Sequence, residues 1–158
     1  MKFFSDLPVD KGITKALEEI GFIEMTDVQV HTIPAALEGK DLIVQSITGS
    51  GKTAAFGVPI VEKAQYGKGI RAAIIGPTRE LVNQVSGEIQ KFSKHKRLNI
   101  ATVFGGVSLE PQMQKLRHAD IVVGTPGRML DHMQRGTLRL GGVKLLVLDE
   151  AVRMLDMG

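Results

Sequence analysis

The sequence predicts an α/β domain built on a mostly parallel sheet with helices on both faces, and three observations point there. Short apolar runs bounded by Gly, Pro, Asp or Thr recur from residue 40 onward, at Leu42–Val44, Ala72–Ile75, Ile100–Phe104, Ile121–Val123 and Leu145–Leu148, as buried strands do. Longer segments of mixed polarity separate them, and strands alternating with helices imply parallel pairing. The chain has 158 residues, 43% hydrophobic and 23% charged, which is the size and composition of one globular domain with a true core.

Each element has a local reason. Before residue 40 the pattern predicts two short helices, the first closed by Gly21, the second opened by Thr26 or Asp27 and closed by Gly39. Leu42–Val44 is the first expected strand. After Pro77, Leu81, Val85, Ile89 and Phe92 recur at helical spacing and form one apolar face. No internal repeat, low-complexity tract or linker interrupts the chain. In parallel sheets of this class, ligands bind at the carboxyl ends of the strands.

Composition narrows the chemistry. No apolar run reaches the 18 or so residues of a membrane span, and Met1–Pro8 has no apolar signal core, so a cytoplasmic protein without membrane contact is expected. The absence of cysteine excludes thiolate catalysis, disulfides and Cys-ligated zinc. The balance of 20 Lys and Arg against 17 Asp and Glu suits a polyanionic partner. With no Trp, one Tyr and six Phe, a base-stacking platform is poorly supplied, so contact with nucleic acid should go mainly to its backbone.

The sharpest motif is Ser46-Ile47-Thr48-Gly49-Ser50-Gly51-Lys52-Thr53, between an expected strand and a helix. Its glycines let consecutive backbone N–H groups turn around an anion, and the helix start adds its positive dipole end. Lys52 would reach the β and γ phosphates and the Thr53 hydroxyl would ligate Mg2+. Ser46 replaces the glycine of the strict pattern. A plain Gly-rich turn and the looser dinucleotide pattern are the alternatives, and Lys52-Thr53 favours a triphosphate.

A hundred residues on, the apolar run Leu145–Leu148 delivers Asp149 and Glu150. Hydrolysis of a Mg2+ nucleotide needs one anion for the hydrated metal and one for the attacking water. Asp149 is assigned to the metal, largely through water, and Glu150 to the water. An acidic pair after a strand is otherwise a solvated turn.

At these residues the chain resembles the first RecA-like domain of the DEAD-box ATP-dependent RNA helicases, over nearly its whole length. Gly21 to Gln29 resembles that family's Q motif, with Phe4 at the upstream aromatic position. The resemblance implies that Phe4 stacks on adenine, that Gln29 pairs with the adenine edge, and that Thr26 belongs to the same nucleotide site as Thr48, Gly49, Ser50, Gly51, Lys52 and Thr53. A carboxamide has the donor and acceptor that adenine N7 and N6 complement. Without the resemblance, Phe4 reads as a core anchor and Gln29 as a surface helix residue. Met25 stands where the family has proline, which predicts a looser turn.

Pro77-Thr78-Arg79-Glu80, Gly105-Gly106 and Thr125-Pro126-Gly127-Arg128 resemble the family's RNA-contact motifs, each just after an expected strand. Exposed amides, hydroxyls and guanidinium groups suit a sugar-phosphate backbone and carry no sequence preference. As ordinary structure, the same segments are loop-to-helix turns. Lys91, Lys94, His95, Lys96 and Arg97 read as a solvated helix end, and His31, His95, His118 and His132 lack metal-ligand spacing and read as structural.

The expected organisation is therefore one domain over residues 1–158, a Q-motif region at 1–39 and a phosphate-loop core at 40–158, binding ATP or ADP with Mg2+. Two departures from the family stand out. The motif runs Asp149-Glu150-Ala151-Val152, with valine where the family has aspartate, so impaired coupling of hydrolysis to strand separation is expected. The sequence given stops at Gly158, short of the family's Ser-Ala-Thr strand and second RecA-like domain. By resemblance the 158 residues alone are then inactive, dependent on that second domain, and prone to self-association through unpaired strand edges. A non-catalytic nucleotide- or RNA-binding module and an unrelated small phosphate-loop kinase are the competing readings.

Overall fold

The computed structural model describes residues 2–45 and 51–156, which fall into two compact units: Met1–Glu62 with Glu88–Arg97, and Lys63–Gly87 with Leu98–Gly158.

The first unit contains a single 3-10 turn at Phe4–Asp6 and the helices α1 (Lys11–Glu19), α2 (Asp27–Leu37) and α3 (Lys52–Lys63), together with the last turn of α4 (Arg79–Phe92). Asp10 opens α1 by accepting the Gly12 N–H at 2.7 Å, and its own N–H donates to Glu62 Oε1 at 2.9 Å. Thr26 opens α2 through a reciprocal capping box, in which Thr26 N–H donates to Gln29 Oε1 at 2.9 Å and Gln29 N–H donates to Thr26 Oγ1 at 3.4 Å. Gly21 and Gly39 follow α1 and α2 with φ of 88° and 84°, the left-handed geometry that ends a helix. The two amino-terminal helices and their glycine stops are as the sequence predicts.

Ile13, Leu17, Ile33, Val58, Ile60, Ile89 and Phe92 are wholly buried in this unit. The rings of Phe4, Phe22 and Phe92 run in series, with centroids 5.9 and 6.0 Å apart. Gly57 allows α3 to lie against this cluster, since a Cβ there would stand 2.8 Å from the Phe92 ring and 3.0 Å from Ile89.

Two expectations are corrected here. Met25 does not loosen its turn: its N–H donates to Lys2 O at 2.8 Å, a bond proline cannot make, beside a Phe3–Glu24 antiparallel bridge. The basic cluster after α4 is not simply solvated. Lys94 and His95 both hold Glu19, whose carboxyl is lowered below its usual range by those two hydrogen bonds. Lys96 donates to Val61 O at 2.7 Å and Glu62 O at 2.9 Å, capping the last carbonyls of α3. Desolvation lowers the Lys96 ammonium below its usual value.

The second unit carries the sheet: β1 (Ala72–Ile75), β2 (Ile100–Val103), β3 (Ile121–Gly124) and β4 (Leu145–Leu148), all parallel, in the order β2-β3-β1-β4. It also holds the start of α4, α5 (Leu109–Leu116), α6 (Pro126–Gln134) and α7 (Ala151–Asp156). Ala73, Ala101, Val103 and Val122 have no exposed surface and pack with Leu116, Met129 and Leu138. Gly124 is required by close packing, since a Cβ would come within 2.5 Å of Val103 and 2.6 Å of Met129. Four of the five expected strands therefore form.

The fifth does not. Leu42–Val44 has no strand assignment, and Leu42 and Ile43 are 44% and 97% exposed. An apolar run becomes a strand only where a neighbour offers a hydrogen-bonding ladder, and no described residues pair with it. Similarly, β4 is an edge that pairs only with β1 among the described residues, leaving Leu146 and Leu148 about half exposed.

Candidate functional site

Both units hold expected site residues. In the first, Thr26 and Gln29 open α2 while Lys52 and Thr53 open α3. Ser46, Ile47, Thr48, Gly49 and Ser50 lie outside the described residues. Gly51 lies within them, with φ of 83° and its carbonyl accepting from Gln29 Nε2 at 3.0 Å. A Cβ on Gly51 would stand 2.3 Å from that nitrogen, so both the backbone angle and the contact demand glycine.

Gln29 is 3% exposed, not the surface residue that its helix position alone suggests. Its carboxamide ties the start of α2 to the residue before α3, with one N–H on Gly51 O and one oxygen lone pair on Thr26 N–H. The group has one further N–H and one further lone pair. Phe4 is 2% exposed, with its ring centroid 5.9 Å from that of Phe22 and tilted to it, so in this structure it packs as a core ring.

In the second unit the register aligns the strand ends, with Ile75 opposite both Gly124 and Leu148, and Val103 opposite Gly124. The segments that follow therefore leave the sheet at one edge, the carboxyl edge: Pro77–Glu80, Gly105-Gly106, Thr125–Arg128 and Asp149-Glu150. Pro77 is buried and Thr78 uses its hydroxyl to accept the Leu81 N–H at 3.2 Å, which starts α4. The Arg79 guanidinium carbon lies 4.6 Å from the centroid of the Phe104 ring, and Glu80 is exposed in the first turn. Gly105 and Gly106 are exposed, with φ of 81° at Gly106. Thr125 precedes Pro126 at the head of α6 and makes no side-chain cap, while Gly127 has open space where a Cβ would be. Arg128 donates from Nη1 to Val107 O at 3.1 Å and Gln112 Oε1 at 3.2 Å.

Asp149 is 5% exposed and its N–H donates to Ile75 O at 2.8 Å, which holds it at the end of β4. Glu150 is exposed and has φ of 53°, and no other non-glycine residue among those described has a positive φ. It immediately precedes α7, its carbonyl accepts the Met154 N–H, and its carboxylate faces Arg153 at 3.8 Å. Val152 falls within α7.

The oxygen donors fit magnesium. Each unit by itself carries a hard oxygen donor, the Thr53 hydroxyl in the first and the Asp149 carboxylate in the second, of the kind that a Mg2+ nucleotide takes in ones or twos beside water and phosphate. The described residues hold no cluster of three or more His, Asp or Glu that could cage a metal by protein groups alone. Among the described residues no helix is long and apolar enough to cross a membrane.

Two residues at the carboxyl edge escaped sequence reasoning in the roles they hold. Gln112 on α5 is 6% exposed and bonded to Phe104 O, Arg128 and His132. His132 has no exposed surface and sits four residues after Arg128 on α6. The i,i+4 spacing shows that Arg128 and His132 share a face; nothing local connects either to Gln112.

A parallel sheet whose carboxyl edge gathers these loops, preceded by a Lys-Thr helix start, defines the α/β class of RecA-like domains. The family model described as DEAD/DEAH box helicase matches residues 26–158, and the chain belongs to that family. It is 48% identical over 160 residues to the DEAD-box ATP-dependent RNA helicase CshA of Geobacillus kaustophilus, covering all of this chain and 34% of that protein. It is 50% identical to the ATP-dependent RNA helicase CshA of Listeria monocytogenes, again over all of this chain and 31% of that protein. The crystal structure of a DEAD box protein from Methanococcus jannaschii superposes with a TM-score of 0.95 at 46% identity, covering all of this chain and 44% of that one. The chain thus spans about a third of the length of the curated relatives it matches.

Proposed function

We propose that this chain is the ATP-binding portion of an ATP-dependent RNA helicase, and that it also contributes an RNA-backbone surface. The observation that carries the reading is the common carboxyl edge of the sheet, where Pro77–Glu80, Gly105-Gly106, Thr125–Arg128 and the Asp149-Glu150 pair emerge together. Family membership supports it independently.

In this reading the N–H groups of Gly51 and its preceding loop, with the α3 dipole, hold phosphate, and Lys52 offsets the charge that grows on it. Mg2+ adds further neutralisation of the phosphates when bound. Thr53 would offer it a hydroxyl and Asp149 a carboxylate, largely through water, and Glu150 would orient or deprotonate the attacking water. Thr26 places Gln29, whose remaining N–H and lone pair suit an adenine edge. Thr125, the open backbone at Gly105, Gly106 and Gly127, and the Arg79 and Arg128 guanidiniums contact RNA phosphates and sugars without reading bases. Turnover and strand separation belong to the longer protein with a second RecA-like domain. An arginine supplied to the γ phosphate from such a domain is worth about 10³ to 10⁵ in rate. The 158 residues alone accordingly show negligible RNA-stimulated hydrolysis.

Calorimetric titration with Mg-ADP and Mg-GDP tests the nucleotide site. ADP is expected to bind better, Lys52→Ala to weaken binding by about tenfold or more, and Gln29→Ala to remove the preference between bases. Absence of nucleotide binding in the folded chain would overturn this reading and favour a binding module without catalysis.

A further inference from the structure

Three of the loops at the carboxyl edge are tied to one another by side chains that belong to none of their motifs. Gln112 is the centre of this clasp. Its Nε2 donates to Phe104 O at 3.0 Å, and its Oε1 accepts from Arg128 Nη1 at 3.2 Å and His132 Nε2 at 3.0 Å. The orientation of the carboxamide is settled by its partners, because Arg128 can only donate and a backbone carbonyl can only accept. His132 Nε2 must therefore be protonated, while Nδ1 pairs with the Thr137 hydroxyl at 2.8 Å and that hydroxyl also lies 3.0 Å from His132 O. Arg128 makes a second bond to Val107 O at 3.1 Å, just past Gly105-Gly106. Immediately before the same glycines in the chain, the Phe104 ring lies under Arg79.

We infer that Gln112 and Phe104 are positioning residues for RNA binding: together they hold the guanidiniums of Arg79 and Arg128 against the residues that flank Gly105-Gly106 in the chain. The inference rests on the RNA-surface reading above. A long arginine side chain in the first turn of a helix loses rotamer freedom when it grips a phosphate, and holding it in place beforehand removes part of that cost. Burial makes the clasp firm, since Gln112 is 6% exposed and His132 has no exposed surface. It is also specific in geometry, because both lone pairs of Gln112 Oε1 are occupied by donors from α6 while its amide faces the loop carbonyl.

Two double-mutant cycles on the full chain test this, read by fluorescence anisotropy with a labelled single-stranded oligouridine at low salt. The first combines Gln112→Met, which keeps the buried volume, with Arg128→Ala; the second combines Phe104→Leu with Arg79→Ala. Each positioning variant is expected to weaken binding roughly tenfold in the unaltered chain and less than twofold once its arginine is gone. Equal losses in both backgrounds, in variants whose circular dichroism is unchanged, would mean a merely structural role and overturn the inference. Should Gln112→Met fail to fold, the Phe104→Leu cycle decides alone. Binding by the unaltered chain that neither Arg79→Ala nor Arg128→Ala weakens would overturn the RNA-surface reading itself, and the inference with it; so would no binding at all.

Discussion

His132 shows how one buried side chain carries a measurable dependence on pH. Burial, with Arg128 as the next cause, lowers its imidazole below the ordinary histidine value, although Asp131 opposes the shift. A base with a depressed folded-state value is neutral in both states above about pH 6.5, and below that the unfolded chain takes up the proton first. Stability is therefore fully present above pH 6.5 and is lost as pH falls toward the folded value. The expected result is a melting temperature that drops between pH 7 and 5.5, with a shallower drop in His132→Gln. Glu19, lowered by Lys94 and His95, acts only below the usual carboxylate range and leaves this window clear. Glu150 is the other residue with a cost built in, because φ of 53° is unfavourable for a side chain with a Cβ. Glu150→Gly is expected to raise stability by about 1 kcal/mol in urea melts while removing the water-orienting carboxylate. A destabilised variant would show that the backbone there is not strained.

At the scale of elements, the close approach at Gly57 limits what α3 can tolerate. A methyl group there meets Phe92 and Ile89, both fully buried and unable to swing aside. Gly57→Ala should cost about 1–3 kcal/mol, measured by thermal or chemical unfolding. The α4 pattern of Leu81, Val85, Ile89 and Phe92 was legible because helical periodicity is local; in the folded chain Val85, Ile89 and Phe92 are buried and Leu81 is half-buried. Capping at Thr26 and the glycine stops at Gly21 and Gly39 were legible for the same reason. The strand at Leu42–Val44 was expected on equally good local grounds and does not form, because a ladder partner is not a local property.

For the molecule as a whole, the exposed β4 is the feature with the widest consequence. Its outer edge pairs with no described residue, and Leu146 and Leu148 are 51% and 53% exposed. Such an edge recruits another strand. The 158-residue chain is expected to sediment as larger species as concentration rises, and Leu148→Lys to shift it toward monomer; a concentration-independent monomer would count against strand-mediated association. Coupling belongs to this scale too. In a longer chain with the second RecA-like domain, Val152→Asp is expected to increase RNA unwinding per ATP hydrolysed, measured with a labelled duplex, and an unchanged ratio would show that Val152 does not impair coupling.

The sequence by itself determined the α/β class, four of the five strands it predicted, the start of α2, the glycine stops after α1 and α2 and the apolar face of α4, because apolar period, capping chemistry and glycine spacing all act within a few residues of one another. It also pointed to the DEAD-box family, since several motifs in one order are seldom accidental. The tertiary structure alone decided that Phe4 is a core ring beside Phe22, that Gln29 reaches Gly51, that Lys96 caps α3, and that Gln112 joins Phe104 to Arg128 and His132. Those contacts link residues eight to thirty-five positions apart. Only the folded path of the backbone brings such groups within hydrogen-bonding or van der Waals distance, and no local pattern in the chain encodes it.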